Sequence, residues 1–206
     1  MAITAIPILP VESISGNQFR ANRIIEEASQ TFYAGTPVSV AAGDGGIQAW
    51  NGTTLTGAQG SIAGISYEAA SNLSSTGLGA PTPFQPITGY GATLFFGNVP
   101  NESSAKNIPH GAPINDGRVG FILPAQDVVF SAMFGNNGST ATPANTDVGK
   151  TYGLTIDSGS IYWYVDKNKT GASAAVLIIG LDPRDVPAAG TRVLFTFIQA
   201  NVNLLA

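Results

Sequence analysis

Short β-branched and aromatic runs, each cut off by Gly, Pro or Asn before it reaches helical length, constrain this chain more than any other feature. Alternation with a period of two is the pattern of strands half-buried in a sheet, and segments this short cannot carry the ten or more residues of an amphipathic helix. From Phe32 onward, Val38 and Val40 alternate with Ser39 and Ala41, and Gly43-Asp44-Gly45-Gly46 turns the chain into Ile47 to Trp50. Asn51-Gly52 follows, a pair that tolerates positive φ and so favours a hairpin back through Thr53 to Leu55. Ile62, Ile65 and Tyr67 mark a further strand, completing a small β module over 31–72.

The C-terminal stretch 119–206 reads as a second β module. Val119 to Leu123 and Asp127 to Phe134 form two runs, with Val128, Phe130 and Phe134 on one face until Asn136-Asn137-Gly138 breaks the second. Thr151 to Ile156 and Ile161 to Val165 read as a hairpin about Asp157-Ser158-Gly159-Ser160, with Ile161, Trp163 and Val165 sharing a face and Tyr162 and Tyr164 the other. Ala175 to Ile179 is continuously apolar, as in a strand buried on both sides, and Arg192 to Ile198 aligns Val193, Phe195 and Phe197. The fold class expected is all-β: two small barrel or sandwich modules with an extended N-terminal arm and long irregular loops.

The arm is residues 1–30, where Pro7 and Pro10 forbid a helix interior and favour extended backbone. A short helix is expected over Gln18 to Ala28, since Phe19, Arg23 and Glu27 recur one turn apart. Region 73–118 is loop-rich. Structureless stretches of that length in a compact domain usually serve binding, so Phe84, Ile87, Phe95 and Phe96 are expected to find cover on a partner, as are Ile3, Ile6, Ile8 and Phe19 of the arm.

Charge and chemistry narrow the functions. The chain has 9 basic and 13 acidic residues among 206, a net charge of −4, one histidine and no cysteine. Typical soluble domains are about a quarter charged. The basic residues form no stripe, which weighs against nucleic acid. No apolar stretch of 18 residues exists to span a membrane as a helix, and no signal segment with a charged start opens the chain.

His110 stands alone in a Gly/Pro-rich loop, with no Gly-x-Ser-x-Gly elbow anywhere. Gly149-Lys150-Thr151 lacks the earlier glycine of a phosphate loop, Ala144 standing there, and leads into a strand. Asp157 with Asp166, Asp182 with Asp185, and Asp116 with Asp127 are the carboxylate pairs a glycosidase would need. All but Asp127 fall at turns or strand ends, where Asp serves the backbone. Transition-metal ligands are too few, while a calcium held by loop carbonyls with Asp182 or Asp185 stays open. Trp50, Tyr162 and Tyr164 could form a recognition platform.

Several strings resemble the structural cement, or capsid decoration, proteins of tailed bacteriophages. They are Glu27-Ala28-Ser29-Gln30-Thr31-Phe32-Tyr33-Ala34-Gly35-Thr36-Pro37-Val38, Ile47-Gln48-Ala49-Trp50-Asn51-Gly52 and Ile62-Ala63-Gly64-Ile65-Ser66-Tyr67-Glu68-Ala69-Ala70-Ser71-Asn72. Gly149-Lys150-Thr151-Tyr152-Gly153-Leu154 and Ile161-Tyr162-Trp163-Tyr164-Val165-Asp166 extend the likeness. The resemblance implies a non-enzymatic virion protein that binds the major capsid protein on the outer capsid surface, commonly as a homotrimer, after passing through the host cytoplasm during assembly. No cofactor, metal, small-molecule substrate, nucleic acid or membrane is expected. A tail-fibre or receptor-binding module, and a carbohydrate-acting enzyme, are the alternatives.

Overall fold

The computed structural model describes residues 2–16, 18–27, 30, 32–41, 46–52, 61–70, 118–125, 127–159 and 161–199. Twelve strands are found there: β1 (Leu9–Ser13), β2 (Ala21–Ile25), β3 (Pro37–Val40), β4 (Ile47–Ala49), β5 (Ile62–Ser66), β6 (Arg118–Ile122), β7 (Val128–Asn136), β8 (Ser139–Thr140), β9 (Thr151–Ile156), β10 (Trp163–Asp166), β11 (Val176–Leu181) and β12 (Arg192–Phe197). Two single-turn 3-10 segments, Asn145–Asp147 and Gly171–Ser173, are the only helical elements among the described residues. The all-β expectation holds.

Five strands pair in the order β2-β6-β5-β3-β4. A parallel bridge from Glu26 to Ile47 joins the two outer strands, so this sheet closes into a small barrel. Its interior holds Phe32, Val38, Ile47, Ala63, Val119 and Phe121, the inward half of each alternating strand. The second sheet runs β7-β10-β9-β11-β12 and returns to β7, which also pairs with β12; β1 and β8 attach to opposite ends of β7. Its core stacks Phe130, Phe195 and Phe197, with ring centroids 5.3–5.8 Å apart. Asn137 at φ 46° and Gly138 at φ 80° form the two-residue turn from β7 to β8, the geometry that positive φ at both positions selects.

Several expectations are corrected. Of the helix expected over Gln18 to Ala28, the described residues 18–27 form none: Ala21–Ile25 is a strand paired antiparallel with β6, and Arg23 meets Glu68 at 3.2 Å. Pairing with a strand nearly 100 positions later outweighs the i, i+4 spacing. The N-terminal segment is not a free arm either, since Leu9–Ser13 pairs with β7 of the second barrel and Ala21–Ile25 belongs to the first. β6 likewise falls in the first barrel, so the barrels interleave along the chain and the 31–72 and 119–206 boundaries are not module edges. β11 alternates between buried Val176 and Ile178 and partly exposed neighbours, so only one side of it is fully covered. The Thr53 to Leu55 strand and most of 73–118 lie outside the described residues.

The barrels share a hydrophobic seam. Ile62, Ile65, Ile122 and Trp50 of the first pack into the same cluster as Trp163, Val165 and Phe134 of the second, and Ile8 joins them.

Candidate functional site

The seam opens to solvent as a cleft of about 260 Å³, walled by the segment before β3, the end of β4, and the β9–β10 connection. The residue after β4 and the first residue of β10 supply its floor. Trp50 and Trp163 are both buried, with centroids 5.2 Å apart. The Trp50 backbone N–H donates to the Pro37 carbonyl at 2.9 Å, and Ala49 N–H donates to Gln30 Oε1 at 3.0 Å, which pins Gln30 beside β4. Gly52 follows at φ +79°, and any side chain there would meet the Trp163 ring at 3.0 Å, so glycine is needed both for the turn and for the close approach. Trp163 Nε1 is buried with no hydrogen-bond acceptor among the described residues.

Around the cleft the rim is apolar and open. Tyr33 is 49 % exposed, Ile156 49 %, Ile161 44 % and Ile6 39 %. Two contacts hold Ile6 at this rim: Ala5 N–H donates to Asp157 Oδ2 at 3.1 Å, and Pro7 packs so closely on Gly35 that a side chain there would lie 2.6 Å from Pro7 Cβ. Tyr33 meets Tyr162 edge-on at 6.3 Å.

Ile161 has φ 64°. A β-branched residue is strongly disfavoured in that left-handed region, because its Cβ crowds the following carbonyl. The turn forces it: Ile161 N–H donates to the Asp157 carbonyl at 2.8 Å, Asp157 N–H donates to the Tyr162 carbonyl at 2.8 Å, and Asp157 Oδ1 accepts from Gly159 N–H at 3.0 Å. Ile161 was expected in the strand beside Trp163 and Val165; the turn instead holds its side chain out at the rim. Strain of this kind concentrates at functional sites.

The expected interface residues divide. Ile3 and Ile8 are buried in the chain's own cores, Ile3 against Ala5 and Tyr164 and Ile8 in the seam cluster, so neither is available to a neighbour. An apolar arm satisfies its burial wherever cover is nearest, and here that is the second barrel. Ile6 and Phe19 remain exposed. Phe84, Ile87, Phe95 and Phe96 lie outside the described residues. Of the candidate aromatic platform, Trp50 and Tyr164 are buried, which removes them as an open binding face. Tyr33, Ile156 and Ile161 were missed, and only the strained backbone at Ile161 and the fold of the seam bring them together.

The carboxylates are engaged in holding the barrels. Asp182 accepts from Ser131 Oγ at 2.7 Å and from Arg184 Nε at 2.8 Å, and the Arg184 guanidinium holds its carboxyl far below the ordinary range. Asp185 is lowered by Arg192, whose Nε donates to it at 2.9 Å. Asp166 accepts from Asn137 N–H, Asn168 N–H and Thr155 Oγ1 at 2.8–3.0 Å. Asp127 is lowered by the hydroxyls of Ser15 and Ser13. Asp147, which composition gave no reason to single out, is fully buried; burial raises its pKa, but hydrogen bonds from Tyr152 Oη at 2.7 Å, Ala144 N–H and Lys167 outweigh that and lower it. Burial, and then the same pairing with Asp147, push the Tyr152 hydroxyl well up. Asp127, Asp147, Asp182 and Asp185, held ionised by such donors, are poor proton donors at neutral pH. Asp116 and His110 lie outside the described residues.

Among the described residues no three His, Cys, Asp or Glu side chains gather as a metal site, and no helix is long and apolar enough to cross a membrane. Comparison with family models, with curated proteins and with solved structures gives no match.

Proposed function

We propose that this chain is a structural virion protein, a capsid decoration protein that binds the major capsid protein on the outer surface of a phage shell and carries out no reaction. The observation that carries this reading is the open apolar rim of the seam, Ile6, Tyr33, Ile156 and Ile161, on a chain that otherwise exposes little charge and seals its sheets. The resemblance of its sequence strings to cement proteins points the same way.

Magnitudes suit a repeated, individually weak contact. Four half-exposed side chains present on the order of 300 Å² of apolar surface, about the size of the largest patch on an ordinary monomer. At ~25 cal/mol per Å² that is worth roughly 8 kcal/mol, within the ~4–15 kcal/mol that association costs in lost freedom. One such contact alone holds poorly. Three on a homotrimer act through effective concentration, and many trimers on a lattice stabilise a shell collectively.

The test is co-sedimentation of the full chain with emptied shells assembled from its cognate major capsid protein. Saturable occupancy that collapses in the Tyr33→Ser/Ile156→Ser double variant supports the reading; free protein at the top of the gradient beside bare shells overturns it. The aromatic-lined cleft keeps a receptor-binding module as the second reading, for which binding to host cells in place of shells is the distinguishing result.

A further inference from the structure

The chain contains two Asn-Gly pairs, Asn51-Gly52 and Asn137-Gly138, and both asparagines are exposed. Such a pair is prone to lose the asparagine amide, because glycine puts no side chain in the way of its own backbone nitrogen as that nitrogen approaches the asparagine Cγ. The nitrogen attacks Cγ and closes a five-membered succinimide. The Cγ–N bond of the side-chain amide breaks, and its NH2 leaves as ammonia with the proton given up by the glycine nitrogen. Water then opens the ring at either carbonyl, giving aspartate or, with one extra methylene in the main chain, isoaspartate. The attack needs a nitrogen able to shed its proton and a peptide plane able to swing towards the side chain.

The fold treats the two pairs oppositely. At the turn between β7 and β8 the attacking nitrogen is held: Gly138 N–H donates to Oη of the buried Tyr164 at 2.8 Å. Asn137 N–H donates to Asp166 Oδ1 at 2.9 Å, and the Gly138 carbonyl accepts from Ile3 N–H at 3.1 Å. This peptide plane cannot turn without breaking those bonds. At Gly52 no hydrogen bond engages the N–H among the described residues, and the carbonyl has one long contact, 3.4 Å from Lys169 Nζ.

From this contrast we infer that Asn51 is a site of spontaneous deamidation in the folded protein, that Asn137 is protected, and that the isoaspartyl product at Asn51 loosens the seam. The position matters because Gly52 lies against Trp163, so closely that a carbon added at its Cα would be 3.0 Å from the ring. Trp50, the other indole of the seam, is the residue before Asn51. An isoaspartyl link puts its extra methylene between these two anchors, so either Gly52 moves off Trp163 or Trp50 moves off its partner. Plain aspartate keeps the main-chain length and leaves the indole pair where it is. None of this depends on what the chain binds.

Ageing the full chain in mildly alkaline buffer, followed by peptide mapping in a mass spectrometer, tests this against the same chain kept unfolded in urea. In urea both pairs should gain their one mass unit at similar rates, since glycine follows each asparagine. In the folded chain Asn51 should lead Asn137 by about tenfold or more, the factor supplied by the hydrogen bonds Asn137-Gly138 must give up before attack. Tyr164→Phe removes the acceptor of Gly138 N–H and should narrow that lead by speeding Asn137; where this variant does not fold, the comparison of folded with urea-unfolded parent decides alone. Anion exchange separates the aged chains by their added negative charge. The isoaspartyl fraction should melt below the parent, and an Asn51→Asp chain should melt with the parent. Equal rates at the two pairs in the folded chain, no mass gain at Asn51 while the urea sample converts, an unchanged lead in a folded Tyr164→Phe chain, or an isoaspartyl fraction that melts no lower than Asn51→Asp overturns the inference.

Discussion

Trp50 and Trp163 meet across the seam with ring planes tilted 35°, one contributed by each barrel and each almost wholly buried. Contact of this kind makes the two barrels one cooperative unit, since neither can unfold without exposing the other's indole. β1, which leaves the N-terminus to pair with β7 before the chain enters the first barrel, ties them a second time.

Trp163→Ala should therefore destabilise both barrels together, by about 3–5 kcal/mol for a buried large-to-small change. Denaturant unfolding followed by far-ultraviolet circular dichroism and by the remaining tryptophan should show one transition shifted to lower denaturant. In a double-mutant cycle with Trp50→Ala the two changes should fall short of additive by about 0.5–1.5 kcal/mol, the worth of an aromatic pair. Two separate transitions, with one barrel unaffected, would contradict the coupling.

Removing residues 2–8 tests whether the N-terminus is core or tether. The deletion exposes the pocket filled by Ile3, Ala5 and Ile8 and takes away the Ala5 donor to Asp157. Two isoleucines at about 2–3 kcal/mol each put the loss near 5 kcal/mol, a large share of a small protein's stability. Thermal melting should drop by many degrees. An unchanged melting curve would return these residues to the role of a free arm.

The sequence made the strands legible and left their partners hidden. Val128, Phe130 and Phe134 announce one buried face through local alternation, and that face is buried as expected. Arg23 and Glu27 announce a helical turn through equally local spacing, yet Arg23 pairs with Glu68 because β2 finds β6, which no nearby residue signals. The same holds for Ile3 and Ile8: hydrophobicity says they will be covered, and only the fold says by what. Of the candidate site, Ile6 was singled out for its apolar character, whereas Ile161 looked like an ordinary strand residue. Its place depends on a turn closed by Asp157, four hydrogen bonds of which only the fold brings together.

Ile161→Gly should raise stability. The left-handed conformation costs a β-branched residue about 1–2 kcal/mol, and glycine adopts it freely. The isoleucine returns little, because nearly half of its surface stays in water. A net gain of about 1 kcal/mol is expected from the denaturation midpoint, with the slope unchanged. A loss of stability would mean that Ile161 packs more than its exposure indicates, and that its strain is repaid inside the fold.

Acid should weaken the second barrel first at the Asp182–Asp185 pair. Arg184 and Ser131 hold the Asp182 carboxyl low, Arg192 holds Asp185 low, and Arg192 also lies 3.7 Å from Asp182, so both carboxylates favour the folded state when ionised. The unfolded chain carries these groups near the ordinary value of about 3.9. Their folded values are depressed, so the unfolded state binds more protons below that pH, and stability must fall as pH drops through the folded values. Above the unfolded value the contribution is complete and the curve is flat. Asp182→Asn removes the charge while keeping the shape, leaves two guanidinium groups facing a neutral amide, and should cost about 3 kcal/mol at pH 7. Measured from pH 7 to pH 2, the gap between variant and parent should narrow once the pH falls below the unfolded value, because the parent's unfolded chain then takes up a proton that its folded Asp182 does not. A gap that stays constant over that range would assign the cost to packing, and not to the ion pairs that join Asp182, Arg184, Asp185 and Arg192 beside β12.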